Sequence, residues 1–501
     1  MVSHTESQSL LRPYRTMLLA MLEISAWLAA AIILPGKMDM ALYALAAVLA
    51  LAGTPFRALQ MLTVQFLLAH FNSPLIGWSD PGGIHLITPV ALLAKVLVNR
   101  EQRRFFLEDQ TLALLLFVVA PLFLVFQGLF SSYPALSVCK AALFFIYVSL
   151  VLFLTKWCFL KQRAKVLQWY LGAVVFLIVA SLGMWATPYA YFRNGAGFNG
   201  VLLHPNALGM ILGIGLSYLL IRMWVANRIR WAFVLLSVFG LVEIYLSQSR
   251  GGLFTCLLSV GVYLGWRSVL SENVALRIFQ RSAIVGVAAV LLVFVNLDKV
   301  QEAASGFLVK ARGTEASFGD AFESSRGAAI DLHLELFKAK PWTGHGFQVV
   351  NAWTETGFDQ FDGVGAGLID ERLIRYDPII GKIPVSAPVE SGFMYTSILA
   401  ENGIVGGVLA SGVLLLVFVP IFIGPKPPEF VLAVAALLAN LTEATIFSTS
   451  GIGGWVWMSI ALAYAAATVQ QPMAQAGTAV RPRARQAGSK PRRASRPQTV
   501  F

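Results

Sequence analysis

Residues 111–131 read TLALLLFVVAPLFLVFQGLFS, a run without one charged side chain. At about 1.5 Å per residue, a helix of this length reaches roughly 30 Å, the thickness of a bilayer's hydrocarbon core. Similar runs lie near 16–35, 40–54, 56–71, 84–98, 135–155, 165–184, 200–221, 231–247, 251–267, 282–297, 402–423, 430–447 and 453–469, which makes fourteen. The second to fourth are short for a full crossing, so the count to expect is 12–14. The runs are too long and too apolar for buried strands, and an open sheet facing lipid would leave backbone groups unpaired. The sequence therefore predicts an all-α polytopic membrane protein.

Composition agrees. Of 501 residues, 57% are hydrophobic and only 13% charged, about half the charge of an ordinary soluble chain. That excludes a soluble enzyme, a disordered protein and a nucleic-acid-binding module. The formal net charge of +12 does not reverse this, because much of it sits in the tail. Arg481, Arg483, Arg485, Lys490, Arg492, Arg493 and Arg496 fall there, and no acid follows Glu443. Residues 471–501 read as a basic, disordered cytoplasmic tail that fixes topology, with membrane lipids rather than nucleic acid beside it. Cys139, Cys158 and Cys256 form no metal-ligand spacing and read as small core residues. The first apolar stretch is long and lacks a small-residue cleavage site, so it reads as a retained membrane helix.

Lys and Arg in the short loops set the orientation. Arg100, Arg103 and Arg104, then Lys156, Lys161, Arg163 and Lys165, then Arg222, Arg228 and Arg230 fall on one side if there are fourteen crossings. Arg267, Arg277, Arg281, Lys426 and the tail follow them, with Lys37 and Arg193 as exceptions. This places both termini in the cytoplasm. Between 298 and 390 the hydrophobic periodicity stops, and nine Lys and Arg face fourteen Asp and Glu. This segment reads as one large outer loop with short helices, because long structureless loops are uncommon unless functional. It divides the chain into N-terminal membrane helices (1–297), the loop (298–390), C-terminal membrane helices (391–470) and the tail.

Four polar clusters fall at the outer ends of helices. The first is RNGAGFNG at 193–200 running into HPNALG at 204–209. Its glycines and the following helix N-terminus suit an anion, with His204 as either a polar cap or a functional group. The second is SQSRGG at 247–252. Arg250 there either snorkels to the interface or grips phosphate oxygens with its planar fork. The third is SSRG at 324–327, where Arg326 opens an amphipathic helix over about 325–339, followed by KPWTGHGF at 340–347. The fourth is Glu390-Ser391-Gly392-Phe393 leading to ENGIVG at 401–406. Glu243 and Glu443 add carboxylates inside apolar helices, each a candidate structural partner for a buried arginine. His333 and His345 lack a defensible metal geometry, so no metal is expected.

Taken in order, HPNALG, SQSRGG, SRG with KPWTGHGF, and AENGIVG resemble the O-antigen ligase/polymerase family over about 190–410. The resemblance implies a metal-independent glycosyltransferase of the C-type membrane fold, without a cofactor, in the bacterial inner membrane. Its expected partner is an undecaprenyl-diphosphate-linked glycan, used on the periplasmic face; whether a chain-length regulator also binds is left open. By the same resemblance Arg250 and Arg326 hold the diphosphate with help from Arg193; the resemblance assigns no acid/base residue, and on chemical grounds His204 or Glu390 is the candidate for the acceptor proton. Where ligases of the family carry a His-Asn or similar pair, this chain has Glu390-Ser391. A polymerase building O-antigen, capsule or exopolysaccharide is therefore expected ahead of a ligase acting on lipid A core or protein. A transporter is the distant alternative.

Overall fold

The computed structural model describes residues 14–34, 39–71, 84–132, 134–191, 197–225, 231–270, 328–348, 374–377, 381–384, 394–441, 445–448 and 452–469. These residues are almost entirely helical. In chain order the helices begin with α1 (Arg15–Ile33), α2 (Asp39–Ala52), α3 (Pro55–Leu68), α4 (Ile84–Val98) and α5 (Arg100–Glu108). Next come α6 (Gln110–Phe130), α7 (Pro134–Gly183), α8 (Pro205–Val225), α9 (Trp231–Leu246) and α10 (Arg250–Leu270). Then follow α11 (Ala328–Ala339), α12 (Met394–Ile423), α13 (Phe430–Ala439) and α14 (Ile452–Val469). Strands β1 (Ile374–Asp377) and β2 (Gly381–Pro384) pair antiparallel between α11 and α12.

Seven helices among the described residues are long and apolar enough to cross a membrane, and four shorter apolar ones accompany them. Whole faces of these helices stay open. Phe117, Leu122, Val125 and Leu129 on α6 are exposed, as are Leu235 and Val238 on α9 and Val408 and Leu415 on α12. Contiguous apolar surface on this scale suits hydrocarbon, not water. The chain is an all-α membrane protein. The run at 282–297 lies outside the described residues.

One expectation stands and one needs correction. Runs 135–155 and 165–184 are two helices, taken together as the two arms of α7, which meet at Gln162 where the backbone leaves helical geometry. The segment after residue 298 also contains a β-hairpin, where only short helices were expected. The amphipathic helix expected at 325–339 is α11.

Inside lipid there is no hydrophobic drive between helices, so close backbone packing and polar contacts must hold them. Helices α8 and α10 supply the first. A side chain on Gly209 would strike the Ser249 side chain at 2.1 Å, and one on Gly213 would strike Gly252 O at 2.4 Å. Because 209 pairs with 249 and 213 with 252, the two helices run parallel and begin at the same end. The α7–α14 seam is aromatic and polar: Tyr170 stacks on Trp455 at 4.7 Å and its hydroxyl lies 2.9 Å from Ser459 Oγ.

The opposite end of the bundle gathers charge. Asp109 accepts from Lys156 at 2.7 Å and from the Tyr464 hydroxyl at 2.8 Å. Glu429, fully buried, meets Arg163 at 3.3 Å, Arg222 at 4.0 Å and the Tyr218 hydroxyl at 3.2 Å. Lys161 pairs with Glu101, and Lys426 lies over the Trp266 ring. Basic residues from loops far apart in sequence thus collect at one end, as expected if they share one side of a membrane.

Candidate functional site

The other end carries the motifs. At the α9–α10 junction the chain turns through Gln248, whose φ is 54°. Ser249 then caps α10: its Oγ accepts from Gly252 N at 3.3 Å, and its carbonyl accepts from Leu253 N at 3.2 Å. This cap makes Arg250 the first residue of α10, half-buried at the end where the positive poles of α8 and α10 coincide. Its guanidinium has no hydrogen bond or ion pair among the described residues. A cation placed without a counter-charge at two helix N-termini has the electrostatics that suit an anion.

His204 stands just before α8. Its Nδ1 accepts from Asn206 N at 3.1 Å and its carbonyl from Leu208 N at 3.2 Å, so it caps the helix. The entry strand is tied to another element: Leu202 bridges Phe71, and Leu203 N donates to His70 O at 2.7 Å. The His70 ring interacts electrostatically with His204, and its Nδ1 is buried without a partner among the described residues. In the same stretch, Gly197 at φ 123° lies so close that a side chain would strike Ser247 O at 2.6 Å. Phe198 N donates to Leu246 O at 2.9 Å. The first and second sequence clusters are therefore one structural unit.

The third and fourth clusters also interlock. Helix α12 breaks at Gly403, with φ 59° and ψ −164°. Into that break fits the turn after α11. His345 N donates to Ala400 O at 3.2 Å and Gly346 N to Glu401 O at 2.7 Å. In return Ile404 N donates to Pro341 O at 2.8 Å and Val405 N to Trp342 O at 3.1 Å. A side chain on Gly344 would strike Glu401 O at 2.3 Å, and one on Gly403 would strike Thr343 N at 2.5 Å. These glycines are obligatory because each needs both a positive φ and the missing Cβ.

Side chains complete the lock. The buried Glu401 carboxylate accepts from Gln348 N at 3.0 Å and Ser397 Oγ at 3.2 Å. Gln127 joins three elements: Phe347 N donates to its Oε1 at 2.9 Å, and its Nε2 donates to Asn402 Oδ1 at 2.8 Å. Lys140 donates to Gln348 O at 2.7 Å, and the Gln348 side chain donates to Phe447 O. Phe447 belongs to the 445–448 segment, whose Thr445 hydroxyl lies 3.9 Å from Met210 of α8. Both pairs of motifs therefore border one segment. At the edge of the lock, His345 Nε2 lies 3.1 Å from Leu336 O. Burial and the nearby Lys340 hold the His345 imidazole below its ordinary pKa, despite that bond.

Of the residues expected to act, Arg250 and His204 share the α8–α10 end. Arg193, Arg326, Glu390 and Glu443 lie outside the described residues. Glu243 is buried, yet neither carboxylate oxygen has a hydrogen-bond partner among the described residues, so its expected role as an arginine's partner is not met there. Cys158 and Cys256 are buried, but Cys139 is exposed; its place near the start of α7 leaves it outside the packed seam. Among the described residues no three His, Cys, Asp or Glu side chains group as metal ligands. Gln127, Lys140, Gln348 and His70 were not singled out from sequence. The first two had a signal, being polar residues inside apolar runs; Gln348 and His70 had none. No protein-family model matches the chain, and no curated protein matches it.

Proposed function

We propose that this protein is a glycosyltransferase of the bacterial inner membrane, with both termini cytoplasmic. It polymerises undecaprenyl-diphosphate-linked repeat units on the periplasmic side into O-antigen, capsule or exopolysaccharide. The observation that carries the reading is Arg250: a half-buried guanidinium with no counter-charge among the described residues, set where two parallel helices begin. The resemblance of the four ordered motifs supports it, as does their pairing in space.

The chemistry follows from what such an end can do. Outside the membrane a donor must arrive already activated, and a lipid diphosphate is a good leaving group. The acceptor hydroxyl oxygen bonds to the donor's anomeric carbon while that carbon's bond to the diphosphate oxygen breaks. The electron pair departs with the diphosphate, and the hydroxyl proton passes to a base, for which Glu390 is the candidate. Arg250, assisted by Arg326 and Arg193, meets the negative charge as it grows; one such fixed donor is worth about 10²–10³-fold. The interlock of the 340–348 turn with the α12 break anchors α11, the helix that begins two residues after Arg326 in the sequence.

The test is the size distribution of surface and undecaprenyl-linked glycan in a deletion strain of the native host. Single repeat units without long chains support the polymerase. Full-length polymer stranded on the carrier means a ligase, and an unchanged profile favours transport.

A further inference from the structure

We propose that His204 donates a hydrogen bond from Nε2 to the departing diphosphate and does not take the acceptor's proton. The inference rests on the reading above and assigns one residue's part in it. Its basis is the contact between Asn206 N and His204 Nδ1 at 3.1 Å. A backbone amide can only donate, so Nδ1 must present its lone pair. A neutral imidazole then carries its single proton on Nε2. A nitrogen already holding a proton cannot receive one; it can only give a hydrogen bond. Loading a proton onto Nδ1 instead would set two N–H groups against each other and uncap α8.

The surroundings point the same way. His70 sits beside His204, held there by the Leu203 N to His70 O bond and the Phe71–Leu202 bridge. A second imidazole adjacent to the first opposes an imidazolium on either ring. Gly209, little more than one turn into α8, packs on Ser249, the residue before Arg250. His204, the N-terminal amides of α8 and α10, and Arg250 therefore belong to one end of the helix pair. That set matches the several oxygens of a diphosphate better than a single neutral hydroxyl.

Two substitutions separate the roles, because a glutamine amide nitrogen stands in for Nε2 and an asparagine oxygen for Nδ1. His204→Gln, His204→Asn and Arg250→Ala are each returned to the deletion strain, chain extension is measured, and each purified protein is melted. His204→Gln is expected to keep extension within about fivefold of wild type. His204→Asn is expected to melt like wild type, its oxygen still accepting from Asn206 N, while extension falls roughly 10²-fold. Wild-type extension by His204→Asn would reduce His204 to a cap and overturn the proposal. Equal loss in both folded variants would make it a base and overturn it too. Arg250→Ala separates the levels: if it extends chains normally the functional reading itself fails, and if it does not, only the role of His204 is in question.

Discussion

Replacing Gly252 with alanine tests the geometry of the α8–α10 end. The new Cβ would lie 2.2 Å from Gly209 O and 2.4 Å from Gly209 C. That is about 1.2 Å short of ordinary contact, and the obstacle is backbone, which cannot rotate aside. The helices must part by about 1 Å at the position two residues after Arg250. Overpacking of this kind costs about 1–3 kcal/mol, and a misplacement of about 1 Å at a reacting centre costs about 10²-fold in rate. Gly412→Ala is the matched control, since a Cβ there meets nothing within 4 Å. Both variants are assayed for chain extension in the deletion strain and for thermal stability after purification. Gly252→Ala should extend chains about 10²-fold more slowly with a lowered melting temperature, while Gly412→Ala behaves as wild type. Wild-type extension and melting by Gly252→Ala would refute the close parallel packing.

Gly403→Ala forces a side chain onto a positive φ and into the Trp342–Gly344 backbone. It should destabilise the protein by at least about 2 kcal/mol in a thermal melt and speed proteolysis of the 340–348 turn. Glu429→Gln removes the buried counter-charge of Arg163 and Arg222. Because both arginines can partly reach water, a loss of about 1–3 kcal/mol is expected, with extension unchanged per folded molecule. His345 binds its proton less readily folded than unfolded. The unfolded chain therefore takes up more protons below about pH 6.5, and stability should fall as pH drops through that range and be recovered above it. His345→Gln, which keeps a donor for Leu336 O, should flatten that dependence in melts between pH 5 and 8.

The helices were legible because apolar runs and charge in short loops are local signals. Polar positions such as Arg250 and Gly403 stood out against that background. The two arms of α7 are legible as separate runs because the polar, basic stretch around Gln162 interrupts the apolar pattern. The paired motifs were legible as four separate clusters, but not as partners. That pairing depends on backbone contacts such as His345 N to Ala400 O and on the absence of side chains at Gly209 and Gly252. Neither leaves a trace in spacing. Glu401 shows the same limit, since its role as an acceptor for Gln348 N comes from a turn 53 residues away.

The most direct measurement is binding of undecaprenyl diphosphate to the purified protein in nanodiscs, comparing wild type with Arg250→Ala and Arg250→Lys. The account predicts saturable binding by wild type, a loss of roughly tenfold or more in Arg250→Ala, and partial recovery in Arg250→Lys, which restores charge without the fork. Equal binding by all three, with the variants folded, would contradict it.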